Sequence, residues 1–173
     1  MRLFIAVQFD NEILTALQEL QRRWIACGMK GHPTSSENFH LTLAFIGEYG
    51  NPGRVADAIE SVRFSPFSLK LDGAGHFRDT YWAGVAVDAE LTNYVRRLRR
   101  ALAENNIPYD RKKFAPHITL IRRAEFDGDI AKLLEFSPQG EMTAAQVVLM
   151  RSDRGKNGMI YTPLKIIGAD END

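Results

Sequence analysis

The chain has a single cysteine, no excess of either charge and no long apolar run, and each absence removes a class of protein. A lone Cys27 cannot close an intramolecular disulfide, so a disulfide-stapled scaffold is excluded and a reducing, cytoplasmic setting is expected. Cys27 itself reads as a small packed hydrophobe rather than a nucleophile. Lys plus Arg and Asp plus Glu both number 22, so the overall charge points to neither nucleic acid nor membrane surface. A local basic patch could still serve a nucleic acid. No stretch approaches the ~20 apolar residues that span a bilayer, and the chain enters an alternating run at once, so no membrane partner or targeting segment is expected.

What is present is an ordinary globular composition, with 45% apolar and 25% charged residues over 173 positions. That length carries a core of its own, and one domain over 1–173, monomeric by default, is the simplest organisation. Arg2–Phe9 alternates as a strand, with Phe4, Ala6 and Gln8 on one face and Leu3, Ile5 and Val7 on the other. Asp10 is an N-cap for a helix carrying Ile13, Leu14, Leu17, Leu20 and Trp24, closed by Gly28. Met29–Asn38 reads as loop or a short edge strand. Asn51-Pro52 opens a short helix with Val55, Ile59 and Val62 inward. Phe67–Leu71 is a strand, Gly73–Arg78 a loop and Tyr81–Val87 a strand. Asp88 caps a helix with Leu91, Val95, Leu98 and Leu102 on one stripe. A short helix is expected near Asp129–Glu135, then strands over Gly140–Met150 and Met159–Ile167. The acidic tail is expected to fray.

Three His-x-Thr triplets occur, and their contexts separate them. His32-Pro33-Thr34 contains a proline, which cannot donate to a sheet ladder, so it reads as loop or edge. His40-Leu41-Thr42-Leu43 and His117-Ile118-Thr119-Leu120 lie in alternating apolar runs. There the imidazole and the hydroxyl project from one strand face while the aliphatic residues pack behind. Each follows a strand and a long helix at nearly the same interval, 36 residues from Phe4 to His40 and 35 from Trp82 to His117. The order strand, long helix, His-x-Thr strand, short helix thus runs twice, over about 1–65 and 80–136, with a final hairpin over 140–168. The expected fold is α+β, with mixed or mainly antiparallel sheets, built as two similar lobes that face each other.

Two strands that each present an imidazole and a hydroxyl suit acid/base work on one ligand, because histidine can give or take a proton near neutral pH. A metal site fits less well, since no His-x-x-x-His or carboxylate cluster with ligand spacing accompanies the histidines. Ser152 lacks the Gly-x-Ser-x-Gly setting of an activated serine.

The whole pattern resembles the 2H phosphoesterase superfamily, named for its paired His-x-Thr-x motifs. More narrowly, the chain resembles the bacterial and archaeal RNA 2′,3′-cyclic phosphodiesterases, also called 2′-5′ RNA ligases. Arg2-Leu3-Phe4-Ile5-Ala6 resembles that family's opening strand. Glu37 to Gly47 fits its first motif block, Phe114 to Arg122 its second, and Ser152, Gly158 and Tyr161 fit its last hairpin. The resemblance implies two pseudo-symmetric lobes, each a mainly antiparallel sheet with outer helices, around a central cleft. It implies hydrolysis of RNA 2′,3′-cyclic phosphate ends to 2′-phosphomonoesters, with 2′-5′ ligation as the reverse chemistry and no metal or cofactor. His40 would be the proton donor and His117 the proton acceptor, although the residues alone leave the two roles exchangeable. Thr42 and Thr119 would hydrogen-bond the phosphate.

An arginine at the place of Arg122 is typical of the family, with a phosphate contact or a structural tie as the two readings. It lies five residues after His117, so strict alternation puts it on the opposite strand face unless the strand bends or ends. Arg96, Arg97, Arg99 and Arg100 fall on the polar side of their helix and read as a solvated row. Arg111, Lys112 and Lys113 are better placed for phosphate. Phe39, Phe114, Trp82 and Tyr161 are candidates to stack on a base, and His76 has no evident partner. Two other readings keep the same cleft: a phosphodiesterase for a small cyclic nucleotide or ADP-ribose cyclic phosphate, and a nucleotide-binding module without turnover.

Overall fold

Each long helix begins where an aspartate side chain accepts an otherwise unpaired amide: Asp10 from Ile13 N–H at 3.0 Å and Asp88 from Leu91 N–H at 3.0 Å. A computed structural model describes residues 1–170, and the acidic tail expected to fray, residues 171–173, lies outside the described residues. The elements are β1 (Arg2–Val7), α1 (Asn11–Ala26), β2 (Lys30–Pro33), a 3₁₀ turn (Ser36–Asn38), β3 (Leu41–Glu48) and α2 (Pro52–Glu60). There follow β4 (Phe67–Phe77), β5 (Thr80–Val85), α3 (Ala89–Glu104), β6 (His117–Glu125), α4 (Ile130–Leu133), β7 (Glu141–Ala144), β8 (Gln146–Gly155) and β9 (Gly158–Gly168).

These strands form two antiparallel sheets in an α+β fold, one ordered β3-β1-β8-β9 and the other β2-β6-β5-β4-β7. Each His-x-Thr strand lies beside the strand that opens its own repeat, β3 on β1 and β6 on β5. The edge strand β2 leaves the first repeat and pairs with β6 of the second. Leu3, Ile5 and Val7 join a core that includes Ile13, Leu17 and Trp24 of α1 and Leu91, Tyr94 and Leu98 of α3. The other face of β1 carries Phe4 and Ala6, which pack with Val148 and Met150 of β8 in a separate cluster, flanked by Phe45 and Tyr161. One face of this sheet thus backs onto the core, and the other walls the cleft. No helix of the described residues is long and apolar enough to cross a membrane.

Several local expectations are corrected. Gly73–Arg78 is not a loop for most of its length, because β4 runs on to Phe77 through an irregularity at Gly73, which takes a positive φ of 71°. Gly75 then faces Trp82 across the ladder, and the indole occupies the space that a Cβ would need. Gly140–Met150 is two strands, β7 on β4 and β8 on β1, so the chain crosses between sheets near Ala145. Cys27 is exposed rather than packed, because it caps the C-terminus of α1 beyond its last buried residue, Trp24.

Gly31 in β2 has φ 148°, and a Cβ there would lie 2.9 Å from both the Ala124 Cα and the Arg122 carbonyl oxygen. Gly31→Ala is therefore expected to lower stability to urea by about 1 kcal/mol or more. Gly50→Ala, where a Cβ meets open space, should stay within about 0.5 kcal/mol of the parent. Equal behaviour of the two variants would contradict the close approach of β2 to β6.

Candidate active site

The ladders of β3 and β6 share a break at an equivalent point, and β3 has a second irregularity between Phe45 and Gly47. Ile5 pairs with Ala44 but Ala6 with Thr42, so Leu43 is an extra residue on β3. Tyr81 pairs with Ile121 but Trp82 with Thr119, so Leu120 is an extra residue on β6. A bulge of this kind shifts the side-chain phase by one. Leu43 and Ala44 accordingly both enter the core, as do Leu120 and Ile121. The residue after each buried pair, Phe45 and Arg122, returns to the face that carries the histidine and threonine. Strict alternation fails here, and Arg122 lines the same cavity as His117 and Thr119.

That cavity, of about 130 Å³, is lined by Thr34, Asn38, His40, Thr42, His117, Thr119, Arg122 and Tyr161. It gathers all five residues singled out from the motifs. A second hollow of about 500 Å³ shares His40, Thr42, Arg122 and Tyr161 and extends along Phe4, Phe45, Ser152 and Met159. A larger groove of about 620 Å³ between α1 and Phe136–Gln139 holds neither histidine.

The two imidazoles are held in the same way. His40 Nδ1 lies 2.8 Å from the Asn38 carbonyl oxygen, and His117 Nδ1 lies 2.7 Å from that of Ala115, each two residues upstream. A carbonyl can only accept, so each Nδ1 carries the hydrogen and each Nε2 is the atom left for proton exchange. His40 Nε2 sits 3.0 Å from the Thr42 hydroxyl. Asn38 is itself tied to the last hairpin, its side-chain amide donating to the Met159 carbonyl at 2.9 Å.

The surroundings differ on the two sides. His40 packs between Phe4 and Tyr161, with ring centroids 4.9 and 5.2 Å away. His117 meets Phe77 at 5.2 Å and Trp82 at 5.8 Å. Burial holds His40 below its ordinary value of 6.5; the Asn38 carbonyl opposes that shift, and the charges of Arg122 and His117 add to it.

The remaining candidates sort plainly. Trp82 and Tyr161 stand beside the histidines, whereas Phe39 is buried in the core. Phe114 lines a separate groove against α3 with Lys113, Arg96 and Arg100. Arg111, Lys112 and Lys113 line neither cavity that holds His40. His76 stacks on Tyr81, with centroids 5.0 Å apart. Arg99 is not part of a solvated row, because its guanidinium turns back onto the Leu43 and Lys112 carbonyls. Phe77, at the end of β4 beyond a glycine-rich stretch, carries no signal in the sequence that links it to His117. Among the described residues, no three His, Cys, Asp or Glu side chains are grouped to hold a metal ion.

Against this geometry, the family-level model of the 2′-5′ RNA ligase superfamily matches residues 9–156. The RNA 2′,3′-cyclic phosphodiesterase of Archaeoglobus fulgidus is 29% identical, over 96% of this chain and 99% of its own. That of Aeropyrum pernix is 30% identical, over 79% of this chain and 85% of its own. The crystal structure of E. coli LigT complexed with 3′-AMP superposes with a TM-score of 0.81 at 26% identity, covering 98% of both chains.

The lowered pKa of His40 makes a stability prediction with a definite sign. The unfolded chain binds this proton near pH 6.5 and the folded chain only at lower pH, so folding is disfavoured as pH falls through that interval. On acidification from pH 7.5 to 5, Tm of His40→Gln should fall less than that of the parent. A parallel decline would contradict the buried, depressed imidazole.

Proposed function

The protein belongs to the 2′-5′ RNA ligase superfamily, and on that basis we propose that it hydrolyses RNA 2′,3′-cyclic phosphate ends to 2′-phosphomonoesters by two-histidine acid/base catalysis. The observation that carries this reading is the matched pair of imidazoles. Each has Nδ1 tied to a carbonyl two residues back, and both open on one small cavity with two threonines and an arginine. The Archaeoglobus fulgidus relative named for this activity matches over 96% of the chain and supports it.

In the proposed reaction the cyclic phosphate sits between the two motifs. His117 Nε2 takes a proton from water as its oxygen attacks phosphorus, and the bond from phosphorus to O3′ breaks. His40 Nε2 delivers its proton to O3′, which leaves a 3′-hydroxyl and a 2′-phosphate. The spent site has one proton too many on His117 and one too few on His40, and solvent resets both. Thr42, Thr119 and Arg122 donate to the non-bridging oxygens, where negative charge grows in the transition state. With a 5′-hydroxyl in place of water, the same steps join two ends through a 2′-5′ bond.

The depression of His40 fits its role as acid once the substrate is considered. In the free site the charges of Arg122 and His117 disfavour a proton on His40. A phosphate anion set against Arg122 cancels that field, so substrate binding and protonation of His40 support each other. The adjoining hollow, with Phe45 and Tyr161 in its lining, is the proposed seat for the terminal nucleoside.

Three outcomes are expected. With EDTA present, an oligonucleotide ending in a 2′,3′-cyclic phosphate should give the 2′-phosphate. His40→Ala and His117→Ala should each slow turnover about 10²–10⁴-fold, and Arg122→Ala about 10²-fold. Absence of that product, or turnover indifferent to His40→Ala, sinks the proposal. The pH profile of kcat/KM should be bell-shaped with limbs that belong to the pair, the acid limb lying below 6.5. A profile flat from pH 5 to 8 would exclude two-imidazole catalysis.

A further inference from the structure

The two bulges that set the site raise a question of hydrogen bonding. An extra residue in a strand leaves its peptide group out of step with the ladder. A carbonyl left unpaired in a buried place is costly, about 1–3 kcal/mol by general experience. Sliding the strand by one residue would remove the bulge and send every following side chain to the opposite face. Something must therefore favour the bulged register.

On β6 the Leu120 carbonyl accepts from Thr34 N–H at 2.8 Å and from Gln21 Nε2 at 2.8 Å. The same Gln21 Nε2 also donates to the Thr34 carbonyl at 2.9 Å. Carbonyls on both sides fix which way round the amide lies. On β3 the Leu43 carbonyl accepts from Arg99, from Nε at 3.3 Å and Nη2 at 3.2 Å. Arg99 Nη1 also donates to the Lys112 carbonyl at 2.7 Å. Two residues along, the Phe45 carbonyl accepts from Asp110 N–H at 2.8 Å.

The two bridges correspond in position, although the Leu120 carbonyl has a backbone donor as well. Gln21 is the eleventh residue of α1 and Arg99 the eleventh of α3, both helices of 16 residues. Each bridges the bulge carbonyl just after the threonine of one motif to a carbonyl in the segment that follows its own helix. Each also works across the repeats, α1 on β6 and α3 on β3. A helix glutamine and a helix arginine that occupy equivalent places and perform the same bridging are not explained by surface solvation.

We propose that Gln21 and Arg99 are positioning residues that hold the two motif strands in the bulged register, Gln21 acting through Arg122 and Arg99 through Thr42 and Phe45. This rests on the two-motif cleft as the catalytic site, but its first test does not depend on turnover. Heteronuclear NMR of the full chain follows the titration of His40, which faces Arg122, His117, the Asn38 carbonyl, Thr42 and Tyr161. Gln21→Met keeps the length of the side chain and removes its donor. It should release Arg122 from the cavity and shift the His40 titration upward, as Arg122→Ala does, and the double variant should show no more than Arg122→Ala alone. In the turnover assay Gln21→Met should lower kcat/KM about 10-fold or more, and the loss should vanish in the Arg122→Ala background. Arg99→Met should lower kcat/KM in both backgrounds, and Arg99→Lys, which keeps a donor, should recover part of it. Should Gln21→Met not fold, the Arg99 pair reports the same device from the other motif.

An unchanged His40 titration and turnover in Gln21→Met overturns the proposal, as does a loss that adds in full to that of Arg122→Ala. A protein with no turnover of cyclic phosphate overturns the proposed activity instead, and the NMR comparison still decides the role of Gln21.

Discussion

The arrangement depends on a phase shift of one residue, made twice. A strand of strict period two would place the histidine and threonine of each motif on one face and the residue five places after the histidine on the other. The extra residues Leu43 and Leu120 undo that. They bring Arg122 into the cavity of the two imidazoles and Phe45 into the hollow beside it. The two consecutive buried residues in each strand, Leu43-Ala44 and Leu120-Ile121, seal the back of the site against the helices. Local backbone irregularity and core packing are thus one feature, and the chemistry of the cleft follows from it.

The pseudo-symmetry ends where the chemistry requires a difference. Both histidines are oriented by the carbonyl two residues upstream. Only the second motif brings an arginine through its bulge, since the equivalent place in the first holds Phe45. The His40 titration is displaced downward, chiefly by burial. Acid/base catalysis in which one imidazole gives a proton while the other takes one needs two groups with unlike environments. A duplicated frame with one cationic and one aromatic insert supplies two unlike environments, and in the proposed reaction the anionic substrate would pair with Arg122.

Much of this was legible in the sequence, for reasons that also explain what was not. The caps Asp10, Asp88 and Asn51, the apolar stripes of the long helices and the paired motifs are local signals, and each lies where local chemistry puts it. Alternation alone does not place Arg122, because a bulge is set by tertiary hydrogen bonds. The two adjacent apolar residues after each threonine were the one trace it left. The glycines of β4 suggested a loop, but Gly75 is small because Trp82 lies over it. Arg99 looked solvated from helical periodicity, which cannot reveal a carbonyl waiting on another strand. The break at Ala145 was hidden because only that residue separates β7 from β8, yet the two join different sheets.

The most direct test of two imidazoles acting from opposite sides of one phosphorus is the position of the product phosphate. Hydrolysis of an oligonucleotide 2′,3′-cyclic phosphate in ¹⁸O-water, followed by ³¹P NMR, reads which P–O bond has broken and where the new oxygen went. The expected result is a single 2′-phosphomonoester bearing one ¹⁸O on phosphorus, because in the proposed reaction His40 protonates only the oxygen on its own side. A mixture of 2′- and 3′-phosphates, or the 3′-phosphate alone, would contradict that account.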